Sequence, residues 1–196
     1  SPASATSLVG LRPTRGLISR DGIVPVSITQ DTIGPMTRTV ADAATLLDAM
    51  AGYDSNDPVT ALSVGYIPKT YTAFLQNGLK GARLGVLTNA FGRGAEHQEV
   101  NQVMANAIDA LRAQGAVIIP LEDPVLDIET LTANFRMNEP EFKAALNRYL
   151  EQQGSHVPVH SLAEIIASGQ YYKPTLEKFF ATTESYEDVL NSADYK

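Results

Sequence analysis

Cysteine is absent from this chain of 196 residues, which excludes disulfides, zinc–thiolate sites and a cysteine nucleophile. The redox compartment therefore stays open, with the cytoplasm slightly favoured as location. Basic residues are also few, 15 Lys and Arg against 22 Asp and Glu. With a net charge of −7 and no Lys/Arg cluster, the chain lacks the electrostatic footprint of a nucleic-acid binder. No apolar run approaches the roughly 20 residues needed to span a bilayer, so no membrane is expected as partner. The first residue is Ser1 rather than Met, and nothing resembling a signal peptide follows it. A processed product or a piece of a longer chain is expected.

The composition that remains, 44% hydrophobic and 19% charged, is that of a folded domain rather than a disordered one. "RGLIS" and "IVPVS" flank Asp21-Gly22, and Asp-Gly between apolar runs predicts a β-hairpin, with Pro25 at an edge position. Residues 39–52 predict a helix: Val40, Ala43, Ala44, Leu47, Met50 and Ala51 recur at helical spacing, Thr39 can cap the start and Gly52 the end. "RLGVL" (83–87), "EVNQVMANAIDALRAQG" (99–115) and "AVIIP" (116–120) read as strand, helix and strand. The helix presents Val100, Val103, Met104, Ala107 and Leu111 on one face. Such a unit implies a parallel pair with a right-handed crossover, hence an α/β fold. From residue 125 to 196 the pattern is mostly helical. "PEFKAALNRYLEQQG" has Pro140 in its first turn and Phe142, Ala145, Leu146 and Tyr149 on one face. "SLAEIIASG" sets Ser161 and Glu164 at capping-box spacing before Gly169, and "TLEKFFATTESYEDVLNSADYK" closes the chain as a further helix.

Chemistry-bearing residues are scattered. His156 and His160 are four apart, but Pro158 between them disfavours the helix that would make them a metal pair, so no metal site is expected. Gly92-x-Gly94 lacks the third glycine of a dinucleotide fingerprint and the Lys-Ser/Thr of a P-loop. No serine stands in G-x-S-x-G, and Ser19 and Ser27 read as strand residues. Of the acidic residues, Asp21 suits the turn and Glu122-Asp123 a solvated loop.

In order and spacing, "PAS", "LVGLRPTRGLISRDGIVPVS", "TQDTIGPMTRTVADAATLLDAMAG" and "DSNDP" resemble the amidase signature family. "GLKGARLGVL" is similar to that family's return strand, and "EFKAALNRYL" to its bacterial peptide-amidase-like branch. The resemblance implies one partial domain over 1–196, a part of the family's mixed sheet flanked by helices, with core sheet elements in 1–120. It also implies a hydrolase of carboxylic or short peptide amides that needs no metal or cofactor. Members use a nucleophilic serine, a bridging serine in a cis peptide and a neutral lysine, with backbone N–H groups stabilising the oxyanion. In the family's order these precede the segment matching Ser1–Ser4. No catalytic residue carries over to this chain, and Ser1 is not the nucleophile.

What carries over is scaffold and pocket. Gln30 to Pro35 match a turn beside the active-site loop, where Gln30 and Asp31 are candidates. Asp31 either holds backbone or a nearby arginine in place, or closes an Asx-turn before Gly34-Pro35. Phe135 and Met137 fall in a region that walls the acyl pocket of relatives, or they serve core packing. There "NEPEFK" departs from the usual apolar run. The expected partners are a small-molecule amide and an N-terminal part of the same protein. The competing expectation is a non-catalytic α/β binding or assembly module on the same scaffold.

Overall fold

A computed structural model of the chain describes residues 2–76, 78–122, 137–192 and 195. These fall into two compact units, one formed by Ser1–Thr72 with Arg136–Lys196 and the other by Ala73–Phe135.

The first unit opens with a single helical turn, α1 (Pro2–Ala5), and a short antiparallel pair, β1 (Val9–Gly10) with β2 (Met36–Thr37), in register Val9↔Thr37. Helix α2 (Val40–Met50) follows at once. The Thr39 hydroxyl accepts from the Asp42 N–H at 3.0 Å, the N-cap its residue type suggested. Ala43 and Leu47 are buried, as the periodicity predicts, but Val40 in the first turn is 60% exposed. Gly52 lies beyond the C-cap, and its N–H bonds to the Leu17 carbonyl instead.

The predicted hairpin does not form. Its turn does, with Gly22 at φ 74° and the Ile23 N–H bonded to the Arg20 carbonyl at 3.1 Å. The flanking backbone groups go elsewhere: Asp31 takes the N–H groups of Val26 and Ser27, and arginines take the Ile28 carbonyl. The only ladder contact of this segment among the described residues is an isolated bridge, Ile18 to Ala51. Side chains outcompeted a ladder that Pro25 had already weakened.

The other half of this unit is helical: α4 (Asn138–Gln153), α5 (Leu162–Ser168) and α6 (Lys173–Glu184). Phe142, Leu146 and Leu150 of α4 pack with Leu162 and Phe180 into the main apolar cluster. The Phe142 ring lies 5.1 Å from Phe179 and 6.0 Å from Phe180. Ser161 caps α5 through the Glu164 N–H, while the Glu164 carboxylate reaches back to the His160 N–H. Gly169 ends that helix at φ 64°. Lys143 joins α4 to the end of α6, donating to the Glu184 carbonyl at 2.8 Å and pairing with its carboxylate at 3.0 Å. The predicted last helix is shorter than its sequence pattern, stopping at Glu184.

The second unit contains β3 (Arg83–Leu87), α3 (Gln98–Ala113) and β4 (Val117–Leu121). The strands are parallel, paired from Arg83↔Val117 to Leu87↔Leu121, so the chain is α/β as expected. The apolar face of α3 has the predicted period, but its Val100 and Val103 are 63% and 66% exposed. Helical periodicity specifies which face is apolar, not that this unit contains its partner.

Candidate functional site

Within the first unit a cavity of about 580 Å³ opens between residues 20–33, the 56–59 turn and the face of α4 that carries Ala145, Arg148 and Tyr149. Its walls are mainly apolar at Ile23, Val24, Pro25 and Val26, with charged groups behind them.

Arg20 anchors one side. Its Nε donates to Asp57 Oδ2 at 2.9 Å and its Nη2 to Oδ1 at 2.8 Å, and the Arg20 backbone N–H donates to Oδ2 at 3.0 Å. These bonds, more than any other influence, hold the Asp57 carboxyl at about 2, and the same bond raises the Arg20 guanidinium further. Beside them the Ser19 hydroxyl donates to Asp54 at 2.6 Å, which with the Asn56 N–H lowers the Asp54 carboxyl.

Asp31 lies on the cavity wall. Its Oδ2 accepts the N–H groups of Val26 at 2.8 Å and Ser27 at 2.9 Å, so it binds backbone behind it in the chain. Gln30 is exposed and is not among the lining residues; its carbonyl accepts from Arg12 Nη2 at 3.2 Å. Met137 is half-buried at the start of α4, where its carbonyl accepts from the Glu141 N–H, and it too lies off the cavity lining. Ser1, Asp123 and Phe135 lie outside the described residues. His156 and His160 are exposed on separate short segments. The Gly92 carbonyl accepts from the Asn101 side chain at 2.8 Å, a loop-to-helix tie.

Sequence reasoning missed Glu141. It is 0% exposed and gathers the Ser27 hydroxyl at 2.5 Å, the Thr29 N–H at 2.9 Å, the Thr29 hydroxyl at 2.6 Å and the Tyr195 hydroxyl at 2.7 Å. Burial pushes its carboxyl up, but the bonds from Ser27, Thr29 and Tyr195 together outweigh burial and leave it below the usual glutamate range. Ser27, read as a strand residue, is instead a buried donor. The available signal was position: Glu141 lies one helical turn before Ala145, in line with the apolar face.

The family model for amidases matches residues 1–184. The chain belongs to the amidase signature family. Among its relatives, a probable amidase of Arabidopsis thaliana is 39% identical over 179 residues, covering 88% of this chain and 33% of that protein. A component of the glutamyl-tRNA(Gln) amidotransferase of Microcystis aeruginosa is 46% identical over 123 residues, 63% of this chain and 25% of that protein. Among solved structures, the native peptide amidase from Stenotrophomonas maltophilia superposes on 96% of this chain with TM-score 0.80 and 37% identity, over 38% of its own length. An amidase family protein from Bacillus anthracis matches 99% of the chain, with TM-score 0.74 and 34% identity, over 37% of its length. The chain thus spans between 25% and 38% of the length of these amidase-family proteins.

Proposed function

We propose that the protein carrying this chain hydrolyses carboxylic or short peptide amides. The observation that carries this reading is the match of 96% of the chain to a peptide amidase with TM-score 0.80 and 37% identity. On this reading the nucleophilic serine, the bridging serine and the lysine belong to sequence preceding Ser1. The 196 residues form one partial amidase domain that supplies scaffold and part of the substrate site. The cavity walled by residues 20–33 receives the substrate, and Asp31 shapes it from behind by holding the N–H groups of Val26 and Ser27. No metal or organic cofactor takes part.

The competing reading, a non-catalytic binding or assembly module, predicts a chain that covers its own apolar faces. The exposed Val100, Val103 and Met104 of α3 favour a piece of a larger fold.

Ammonia release from a C-terminally amidated dipeptide and from a simple carboxamide tests the proposal, using the polypeptide that joins this chain to a lysine and a Gly/Ser-rich segment. Turnover that disappears when the serine of that segment is replaced by alanine supports it. A folded polypeptide with both motifs that releases no ammonia from any amide overturns it.

A further inference from the structure

Residues 26–31 form a tight turn outside any strand or helix, and ionised side chains hold it from three directions. Asp31 takes the N–H groups of Val26 and Ser27. Glu141, reaching from α4 across 112 and 114 residues of sequence, takes the Thr29 N–H and the hydroxyls of Thr29 and Ser27. On the carbonyl side, Ile28 accepts from Arg20 Nη1 at 2.8 Å and Arg15 Nη2 at 3.4 Å, and Gln30 accepts from Arg12. The Ser27 oxygen also accepts the Gln30 N–H at 3.0 Å, and the Asp31 N–H returns to the Ser27 carbonyl. The apolar side chains of the turn do not hold it: Val26 is 44% exposed and Ile28 39%. Both line the cavity.

Full burial of a carboxylate is costly, a cost that an apolar residue at 141, one turn before the buried Ala145, would not carry. A buried glutamate is retained here with four donors, three of them from one turn. Charge-assisted bonds to backbone and hydroxyl fix position more tightly than apolar contact, which is what a site wall needs.

We propose that Glu141 is a positioning residue of the amide site, holding the 26–31 wall of the cavity in the shape that receives substrate. The proposal rests on the amidase reading of that cavity. Glu141 touches no reacting atom in this scheme; it acts through Ser27 and Thr29.

The test compares the full-length protein with Glu141→Gln and with the double variant Ser27→Ala, Thr29→Val. Glutamine keeps the volume but turns an NH₂ group towards donors. The double variant removes the two hydroxyl donors of the turn, keeps the Thr29 N–H bond to Glu141 and leaves α4 intact. Steady-state hydrolysis of an amidated dipeptide gives KM and kcat, and hydrogen exchange is followed over residues 23–31. Loss of a bond to a charged group at the wall is expected to raise KM about tenfold with kcat changed far less. Exchange over 26–31 should accelerate in both variants. An active wild type whose two variants retain its KM and its exchange rates overturns the proposal. If Glu141→Gln fails to fold, the double variant decides alone, and a normal KM and exchange rate there overturn the proposal equally. An inert wild type overturns the amidase reading instead.

Discussion

Arg20 and Asp57 meet in a two-pronged pair across 37 residues of sequence, Nε to Oδ2 at 2.9 Å and Nη2 to Oδ1 at 2.8 Å, with side chains only 18% and 8% exposed. The pair fastens the Asp21–Gly22 turn to the 54–58 loop and closes one side of the cavity. Planar guanidinium–carboxylate geometry makes it stronger than a surface ion pair. Asp57→Ala leaves a shielded guanidinium without its counter-ion, at an expected cost of about 3 kcal/mol. The pH dependence has a definite sign. A carboxyl held at about 2 in the fold contributes stability above its ordinary value near 3.9, and that contribution drains away as pH falls towards 2. The span corresponds to roughly 2 kcal/mol. Thermal unfolding between pH 5 and pH 2 should therefore be steeper for wild type than for Asp57→Asn. Equal slopes would remove the pair from the acid response.

Gly34 is required for space. A Cβ there would overlap the Leu11 carbonyl oxygen and crowd Pro13, and the obstacle is backbone that cannot swing aside. The Leu11 N–H is itself bonded to the Pro35 carbonyl at 3.1 Å, so the two segments are locked at this approach. Gly34→Ala is expected to cost about 3 kcal/mol or to misplace the 31–35 segment. Gly52→Ala is the control, since a Cβ there meets nothing, and a change within about 0.5 kcal/mol is expected. Urea unfolding of both variants checks the contrast, and equal midpoints would refute it.

The α/β class and most helices were legible because their signals are local. Thr39 with Asp42, Ser161 with Glu164 and the 3.6-residue spacing of Phe142, Ala145 and Leu146 each lie within one or two turns of chain. The hairpin expectation failed because its flanks find other partners. Asp21-Gly22 carried the correct turn signal, but the flanking backbone bonds to side chains, nearby at Asp31 and far away in sequence at Asp57. Of the candidate residues among those described, Asp31 lines the cavity. Glu141 drew no notice in the sequence because its donors, Ser27 and Thr29, are brought to it only by the fold. For α3 the pattern identified an apolar face, yet no pattern states where the partner of that face lies.

Leu162 tests the helical core independently of the cavity. It is 0% exposed, begins α5, and packs with Phe142, Leu146, Leu150 and Phe180. Its N–H donates to the Asn147 side chain at 2.8 Å, so the backbone is held while the side chain fills the cluster. Held backbone limits collapse after truncation, and Leu162→Ala is expected to cost about 3–5 kcal/mol, at the upper end for such deletions. Leu162→Met, which conserves volume, should cost less than about 1.5 kcal/mol. Denaturant midpoints of the two variants measure the difference, and a Leu162→Ala loss near that of methionine would mean the cluster repacks.

Tyr195 reports on the buried carboxylate from its other end. Burial, then the bond to Glu141 at 2.7 Å and the negative charge of that group, push its phenol up to about 12. The sign is opposite to that of Asp57. A phenol whose proton is held more tightly in the fold stabilises it fully below the ordinary value near 10, and that contribution disappears as pH rises towards about 12. Glu141 works the other limb: its lowered carboxyl stabilises above the ordinary glutamate value and loses that contribution as pH falls through the folded one. Phenolate absorbance should show one of the eight tyrosines titrating near 12 in wild type. That late phase should vanish in Tyr195→Phe and move towards the ordinary range in Glu141→Gln, where the negative charge is gone. A late phase that survives Tyr195→Phe belongs to another tyrosine, and the bond from Tyr195 to Glu141 then has no part in it.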